Sequence, residues 1–144
     1  MNHRIGRAAD TLRASWYLLR LHWLFRAGGQ RAVARVTADA MRVEPSSQDL
    51  VDRRGIDAWH AGRAVWRAKR LFPMRSTCLQ TALATQMLFA SKGLWAAVRV
   101  GVAEVGADAH AWAEIGDFVL DDQRLSNNFK AFDAPVAASE KARV

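Results

Sequence analysis

The sequence predicts an α+β fold in which a run of helices precedes a small antiparallel sheet. Apolar residues recur at helical spacing up to residue 90, whereas residues 94–120 carry β-branched residues and two turn signals. Helices first and strands afterwards is an α+β order. The 144 residues are expected to form one domain over 1–144, with a helical part at 1–45 and a flexible tail at 134–144.

Composition indicates a protein with an ordinary buried core. Hydrophobic residues make up 51% of the chain, so disorder throughout is excluded. The formal charge of +7 favours acidic partners, but the arginines are spread along the chain, which favours an ordinary soluble protein from an arginine-rich proteome. The single cysteine cannot form an intrachain disulfide, which fits a reducing compartment.

No segment reads as a secretory signal or a spanning helix. Residues 14–25 are apolar but contain Arg20 and His22, which makes the stretch too short and too charged to cross a membrane. We therefore expect a cytoplasmic protein without stable membrane insertion.

The first helix is predicted from an apolar stripe. Its members recur at spacings of four, three and four residues, and Gly28-Gly29 ends the pattern; they are Leu12, Trp16, Leu19 and Trp23. Leu18, Leu21, Leu24 and Phe25 widen the stripe. We expect the stripe to cover the catalytic core, with a membrane-surface or partner-binding role as the alternative.

Further helices follow, separated by clear breaks. A short one is predicted through Ala32–Val36, another after the capping residues Ser46-Ser47, and a third from Ile56 to about Leu71, where Pro73 stops it. Ser76-Thr77 then precedes a largely buried helix over Cys78–Ala90, which Lys92-Gly93 ends.

Three strands are predicted after this helix. The first lies within Leu94–Val105, where valines are enriched, and the second over Ala109–Ile115. Gly116-Asp117 forms a tight turn, and Phe118–Leu120 folds back as the third strand.

Cys78 is the candidate nucleophile. It falls at the start of a helix, where free N–H groups and the helix dipole stabilise a thiolate. A lone cysteine is more often a small buried apolar residue, so Cys78 gains weight as a nucleophile only in combination with a histidine and a carboxylate later in the chain.

His110 and an aspartate supply the remaining parts of the site. Strand alternation puts His110, Trp112 and Glu114 on one face, with the alanines and Ile115 on the other. The turn at Gly116-Asp117 brings Asp122 near the His110 end of the hairpin, where a carboxylate fixes the imidazole tautomer; Asp121 is the fallback. The chain thus offers an activated thiol, its base and an orienting group. Their order of Cys, His and Asp is typical of papain-like and transglutaminase-like cores.

These motifs resemble a known family. The run Cys78–Leu83, then Gly93, Val100–Val102 and Ala109–Glu114, is similar to the leader peptidase of lasso peptide biosynthesis, in the transglutaminase-like superfamily. The resemblance covers about residues 12–122. It implies a cysteine protease with the triad Cys78, His110 and Asp122, without metal or other cofactor, that cuts a ribosomal precursor peptide between leader and core.

The resemblance also implies partners. The chain is too short for the leader-gripping domain that some members carry, so it resembles the split form, which depends on a separate small leader-binding protein. The substrate is the precursor peptide, and the lasso cyclase is a further candidate partner. The Trp-rich first helix is the expected partner-facing surface.

Two rival functions stay open. A transglutaminase-like acyltransferase would use the same site but deliver the acyl group to an amine. A basic helical module that binds nucleic acid or membrane would instead depend on Arg20, Arg26 or Arg31 and not on Cys78. No helix-turn-helix or aromatic RNA-binding motif supports this second rival, and no nucleic-acid partner is expected.

Overall fold

A computed structural model describes residues 2–103, 106, 108–120 and 129–131. Five helices come first: α1 (Asn2–Ala27), α2 (Gly29–Met41), α3 (Gln48–Arg53), α4 (Gly55–Leu71) and α5 (Cys78–Ala90). Four strands follow: β1 (Ala97–Ala103), β2 (Ala109–Ile115), β3 (Phe118–Leu120) and β4 (Phe129–Ala131). The α+β class is confirmed.

Most predicted boundaries are confirmed where a local signal marks them. Ser47 caps α3 by accepting a hydrogen bond from the Leu50 amide at 3.4 Å. Helix α4 ends at Leu71, two residues before Pro73. Helix α5 begins at Cys78 and ends at Ala90, and Gly93 follows with a φ of 72°. Helix α2 is longer than predicted, because it starts at Gly29 and reaches Met41.

The face that α1 buries differs from the prediction. Leu12, Trp16 and Trp23 of the apolar stripe are exposed to 72%, 57% and 60%, so they do not cover the core. The buried side carries Ala14 together with Leu18 and Leu21, which the prediction included as the residues that widen the stripe. The small Ala14 allows α1 to approach α4 closely, and on α4 the alanines at 61, 64 and 68 are fully buried. The buried face of α1 is thus not the one that carries its tryptophans.

The sheet is antiparallel with strand order β3-β2-β1-β4. Strands β2 and β3 pair through a two-residue turn, with Ile115 opposite Phe118, which confirms the predicted hairpin. Strand β1 pairs with β2 from Ala97↔Glu114 to Val102↔Ala109. Strand β4, which the sequence analysis missed, pairs with the last three residues of β1.

The core lies between one face of the sheet and the helices. Helix α5 contributes Leu83, Leu88 and Phe89, all buried, and the sheet contributes the side chains of Ala111, Ala113 and Ile115. Helices α1 and α4 pack against α5, and α5 packs against β2 and β1. The helix that begins at Cys78 is therefore held on both sides, as predicted for a largely buried element.

In the part of the chain that the structure describes, no helix combines the length and apolar character needed to span a bilayer.

Candidate active site

The start of α5 is fixed by a capping box. Thr77 Oγ1 accepts a hydrogen bond from the Gln80 amide at 3.2 Å, and Gln80 Oε1 accepts one from the Thr77 amide at 2.9 Å. Thr81 Oγ1 also donates to the Thr77 carbonyl at 3.0 Å. These reciprocal bonds hold the first turn in one conformation and so fix the backbone that carries Cys78.

Two backbone amides remain unused beside the thiol. Within the described residues, the N–H groups of Cys78 and Leu79 have no hydrogen-bond partner, since Thr77 caps only the third amide of the helix. Unpaired amides at a helix N-terminus favour negative charge nearby. This end of α5 can stabilise a thiolate or an oxyanion.

Cys78 itself is half-buried. It packs against the edge of the hydrophobic core and is a free thiol. The next residues of α5 are deeply buried, from Gln80 to Thr85. The sulfur is thus held at a boundary between core and solvent, where a nucleophile is both positioned and accessible.

His110 is the second residue of β2 and is 3% exposed. Its strand neighbour on β1 is Gly101. The imidazole stacks on the ring of Trp112, with centroids 5.9 Å apart. The predicted sharing of one strand face by His110, Trp112 and Glu114 is confirmed.

Trp112 is in turn held by an acidic group. Its Nε1 donates to Glu114 Oε1 at 2.8 Å, and Glu114 Oε2 accepts from Arg99 Nε at 3.2 Å. Arg99 lies directly opposite Trp112 on β1. The chain of contacts therefore runs from Arg99 through Glu114 and Trp112 to the imidazole.

Cys78 and His110 lie on two elements that pack against each other. Helix α5, which begins at Cys78, contacts β2, the strand that carries His110. The approach of Cys78 Sγ to the imidazole stays a prediction. Asp121 and Asp122, the candidates for the third position, lie outside the described residues.

Comparison with protein families identifies the superfamily of this chain. The model of the transglutaminase-like superfamily matches residues 15–133, which is most of the chain. The chain belongs to the transglutaminase-like superfamily. No curated protein and no solved structure matches it.

Membership in the transglutaminase-like superfamily gives Cys78 a chemical context. The superfamily generally consists of cysteine-dependent enzymes and includes both cysteine proteases and acyltransferases. Cys78 is the only cysteine of the chain, so a thiol-dependent reaction in this superfamily member has one candidate nucleophile.

The sequence analysis missed two groups of this transglutaminase-like core. It gives Gln80 no role, although Thr-x-x-Gln at a helix start is the signature of a capping box. It also misses the Arg99–Glu114 pair, because the opposition of Arg99 and Trp112 depends on a strand register that alternation alone does not fix.

Proposed function

We propose that this protein is a cysteine peptidase that removes the leader from a ribosomally made lasso precursor peptide, through a thioester on Cys78. The observation that supports the proposal is that Cys78 begins the capped helix α5, which packs against β2, the strand that carries His110, in a chain of the transglutaminase-like superfamily. The motifs around both residues, which resemble lasso leader peptidases, supply the substrate class.

The first step forms the acyl-enzyme. His110 takes the proton of the Cys78 thiol, and the thiolate attacks the carbonyl of the last leader residue. The tetrahedral intermediate collapses, the peptide C–N bond breaks, and the imidazolium of His110 returns a proton to the amine of the core peptide. The leader remains as a thioester on Sγ. Because His110 is the second residue of β2, the proposal requires sulfur and imidazole to meet at that end of the strand.

The second step releases the leader. Water, deprotonated by His110, attacks the thioester carbonyl, the Cys78 thiolate leaves, and the imidazolium returns its proton to the sulfur. The products are the free leader and a core peptide with a free amine, which a separate cyclase can use. In both steps the negative oxygen is best placed at the amides of Cys78 and Leu79, which have no partner among the residues that the structure describes and are fixed before the reaction begins.

Asp122 holds the orienting role in this proposal, with Asp121 as its alternative. A carboxylate beside the distal nitrogen fixes the imidazole tautomer and stabilises the charged form that arises after proton transfer. Asp121→Asn and Asp122→Asn form a matched pair, and only the variant that lacks the orienting carboxylate is expected to lose most of its kcat.

A separate leader-binding protein is part of the proposal. Trp16 and Trp23 of α1 are exposed and line an apolar cavity of about 560 Å³ together with Val36 of α2 and Met87 of α5. Exposed tryptophans at a concave apolar surface support this cavity as the partner-facing site. Unchanged cleavage by a Trp16→Ala, Trp23→Ala double variant in the presence of the partner would reject that assignment.

The decisive experiment is incubation with the precursor peptide and a candidate leader-binding protein, followed by mass spectrometry. We expect wild type and Thr37→Ala, a hydroxyl deletion on α2, to release free leader and core. Cys78→Ala is expected to release neither. Adding a primary amine separates the rival activity: an acyltransferase would yield leader carrying the amine, whereas a peptidase yields the leader carboxylic acid. Cleavage by Cys78→Ala would reject both.

A further inference from the structure

Helix α4 presents an unusual exposed stripe to solvent. Tryptophan and arginine alternate along it, and the four residues are called here the Trp–Arg stripe: Trp59, Arg63, Trp66 and Arg70. Spacings of four, three and four residues place all four on one side of the helix. Trp59 and Trp66 are exposed to 56% and 45%, which is high for the largest apolar side chain.

Each tryptophan of the stripe is paired with the arginine one turn later. The guanidinium carbon of Arg63 lies 5.0 Å from the centroid of Trp59, and that of Arg70 lies 4.9 Å from the centroid of Trp66. Stacking on a ring leaves the in-plane N–H groups of a guanidinium free to donate. In each pair, a guanidinium with donors free lies over the ring of a tryptophan.

The stripe has no acidic counterpart within its own helix. The sequence contains no Asp or Glu between Asp57 and Glu104, and Asp57 pairs with Arg54 at 3.2 Å. Among the described residues no carboxylate lies within ion-pair distance of Arg63 or Arg70. Within this part of the chain, the positive charge of the stripe is thus available to a group from outside.

A neighbouring arginine shows that positive charge accumulates here. Arg67 Nε donates to Thr11 Oγ1 of α1 at 3.1 Å, but its Nη2 is buried with no hydrogen-bond partner among the described residues. Burial lowers the pKa of Arg67, and the nearby charges of Arg7 and Arg63 lower it further. A negative group placed on this side of α4 would relieve that repulsion.

We propose that the Trp–Arg stripe is a docking surface for an acidic segment of a partner polypeptide. Tryptophan and arginine are the residues that dominate the energy of protein interfaces. Arg63 and Arg70 are seven residues apart, or about 10 Å along the helix. That distance matches two carboxylates seven residues apart on a partner helix, or three apart on an extended strand.

The arrangement fits a polypeptide better than a nucleic acid or a membrane. Bases stack on open aromatic faces, whereas one face of each tryptophan here is already covered by a guanidinium. A helix lying on a bilayer needs a continuous apolar face, and the stripe alternates tryptophan with arginine. The surface also differs from the apolar cavity beside Trp16, which α1, α2 and α5 form.

Fluorescence anisotropy with defined probes tests the proposal. The probe is a fluorescein-labelled helical peptide with glutamates seven residues apart and leucines beside them, and the matched peptide carries glutamine in place of glutamate. We expect the glutamate peptide to bind wild type, and to bind the Arg63→Gln, Arg70→Gln double variant about tenfold more weakly or worse. Arg42→Gln, Arg53→Gln, with two arginines removed elsewhere, is the charge-matched control and should bind like wild type.

Several outcomes would overturn the proposal. They are equal binding of the two peptides, equal loss in the control variant, no binding at all, and tighter binding to a single-stranded oligonucleotide or to phosphatidylglycerol vesicles than to the peptide. Circular dichroism checks that both double variants fold. Because Cys78→Ala is expected to bind the peptide like wild type, the result is independent of the proposed peptidase activity.

Discussion

The indole of Trp112 lies close to parallel with the imidazole of His110, at an interplanar angle of 26° and a centroid distance of 5.9 Å. Both side chains are buried, and the indole is anchored by Glu114, so the contact restricts the rotation of the imidazole. In the proposed mechanism this imidazole takes the proton of the Cys78 thiol in the first step and a proton of water in the second.

Replacing Trp112 should therefore slow catalysis more than it weakens substrate binding. For Trp112→Ala we expect a fall of about 100-fold in kcat with little change in KM, because the base is no longer held in position. Trp112→Phe keeps the stacking surface and should lose less. Equal kinetic effects in the two variants would show that the indole does not act through stacking.

Glu114 should contribute to stability through its bond to Trp112 rather than through its ion pair. Glu114→Gln retains an acceptor for Trp112 Nε1 and breaks only the partly exposed pair with Arg99, so a loss of about 1 kcal/mol or less is expected. Glu114→Leu leaves the indole N–H unpaired in a buried site and should cost about 1–3 kcal/mol. Urea denaturation followed by circular dichroism measures both, and equal losses would contradict this division.

The cap of α5 should affect both stability and activity. Thr77→Ala removes the acceptor of the Gln80 amide, with an expected cost of about 1 kcal/mol in the free energy of unfolding. A frayed first turn also displaces Cys78 and the backbone amides beside it, so kcat for cleavage of the precursor peptide should fall. Thr77→Ser keeps the hydroxyl and is the control, for which neither quantity should change appreciably.

Local signals explain which parts of the fold could be predicted from the sequence. The start of α5 and the β2–β3 turn each depend on two residues close together in sequence, Thr77 with Gln80 and Gly116 with Asp117. Both features are confirmed. Strand β4 was missed because Phe129–Ala131 is too short for alternation to stand out, and its pairing with β1 joins residues far apart in sequence. The prediction for α1 was wrong in part: Leu18 and Leu21, which widen the predicted stripe, are buried, whereas Leu12, Trp16 and Trp23 are exposed, because helical spacing alone does not say which part of a wide apolar face meets α4 and α5.

The candidate site divides in the same way. The identity of Cys78 and His110 as candidates followed from residue type and element position. The contacts that hold the His110 ring could not be predicted in this way, since the link from Arg99 to Trp112 depends on the register of β1 against β2. Register is fixed by the whole hydrophobic pattern of a sheet and not by any short motif.

The observed orientation of α1 predicts how two leucine substitutions change the free energy of unfolding. Leu18 is 1% exposed and lies in the core, whereas Leu12 is 72% exposed on the same helix. Leu18→Ala should therefore cost about 2–5 kcal/mol of unfolding free energy, while Leu12→Ala should change it by about 0.5 kcal/mol or less. Thermal or urea unfolding of the two variants side by side tests the assignment. The reverse order of the two losses would restore the orientation predicted from the sequence.

Gly116 should be irreplaceable in the turn that joins β2 to β3. Its φ of 54° lies in the left-handed region, which costs an L-residue about 1–2 kcal/mol. A Cβ there would also collide with Gln48 Oε1, which accepts the hydrogen bond of the Asp117 amide at 2.6 Å and so ties α3 to the turn. We expect Gly116→Ala to lower the free energy of unfolding by about 2 kcal/mol or more, from strain and loss of this bond together.

Gly6→Ala is the matched control, since Gly6 lies inside α1 with open space around it, and alanine there should stabilise the helix by about 0.5–1 kcal/mol. A destabilised Gly6→Ala, or an unaffected Gly116→Ala, would contradict the backbone conformations on which this prediction depends.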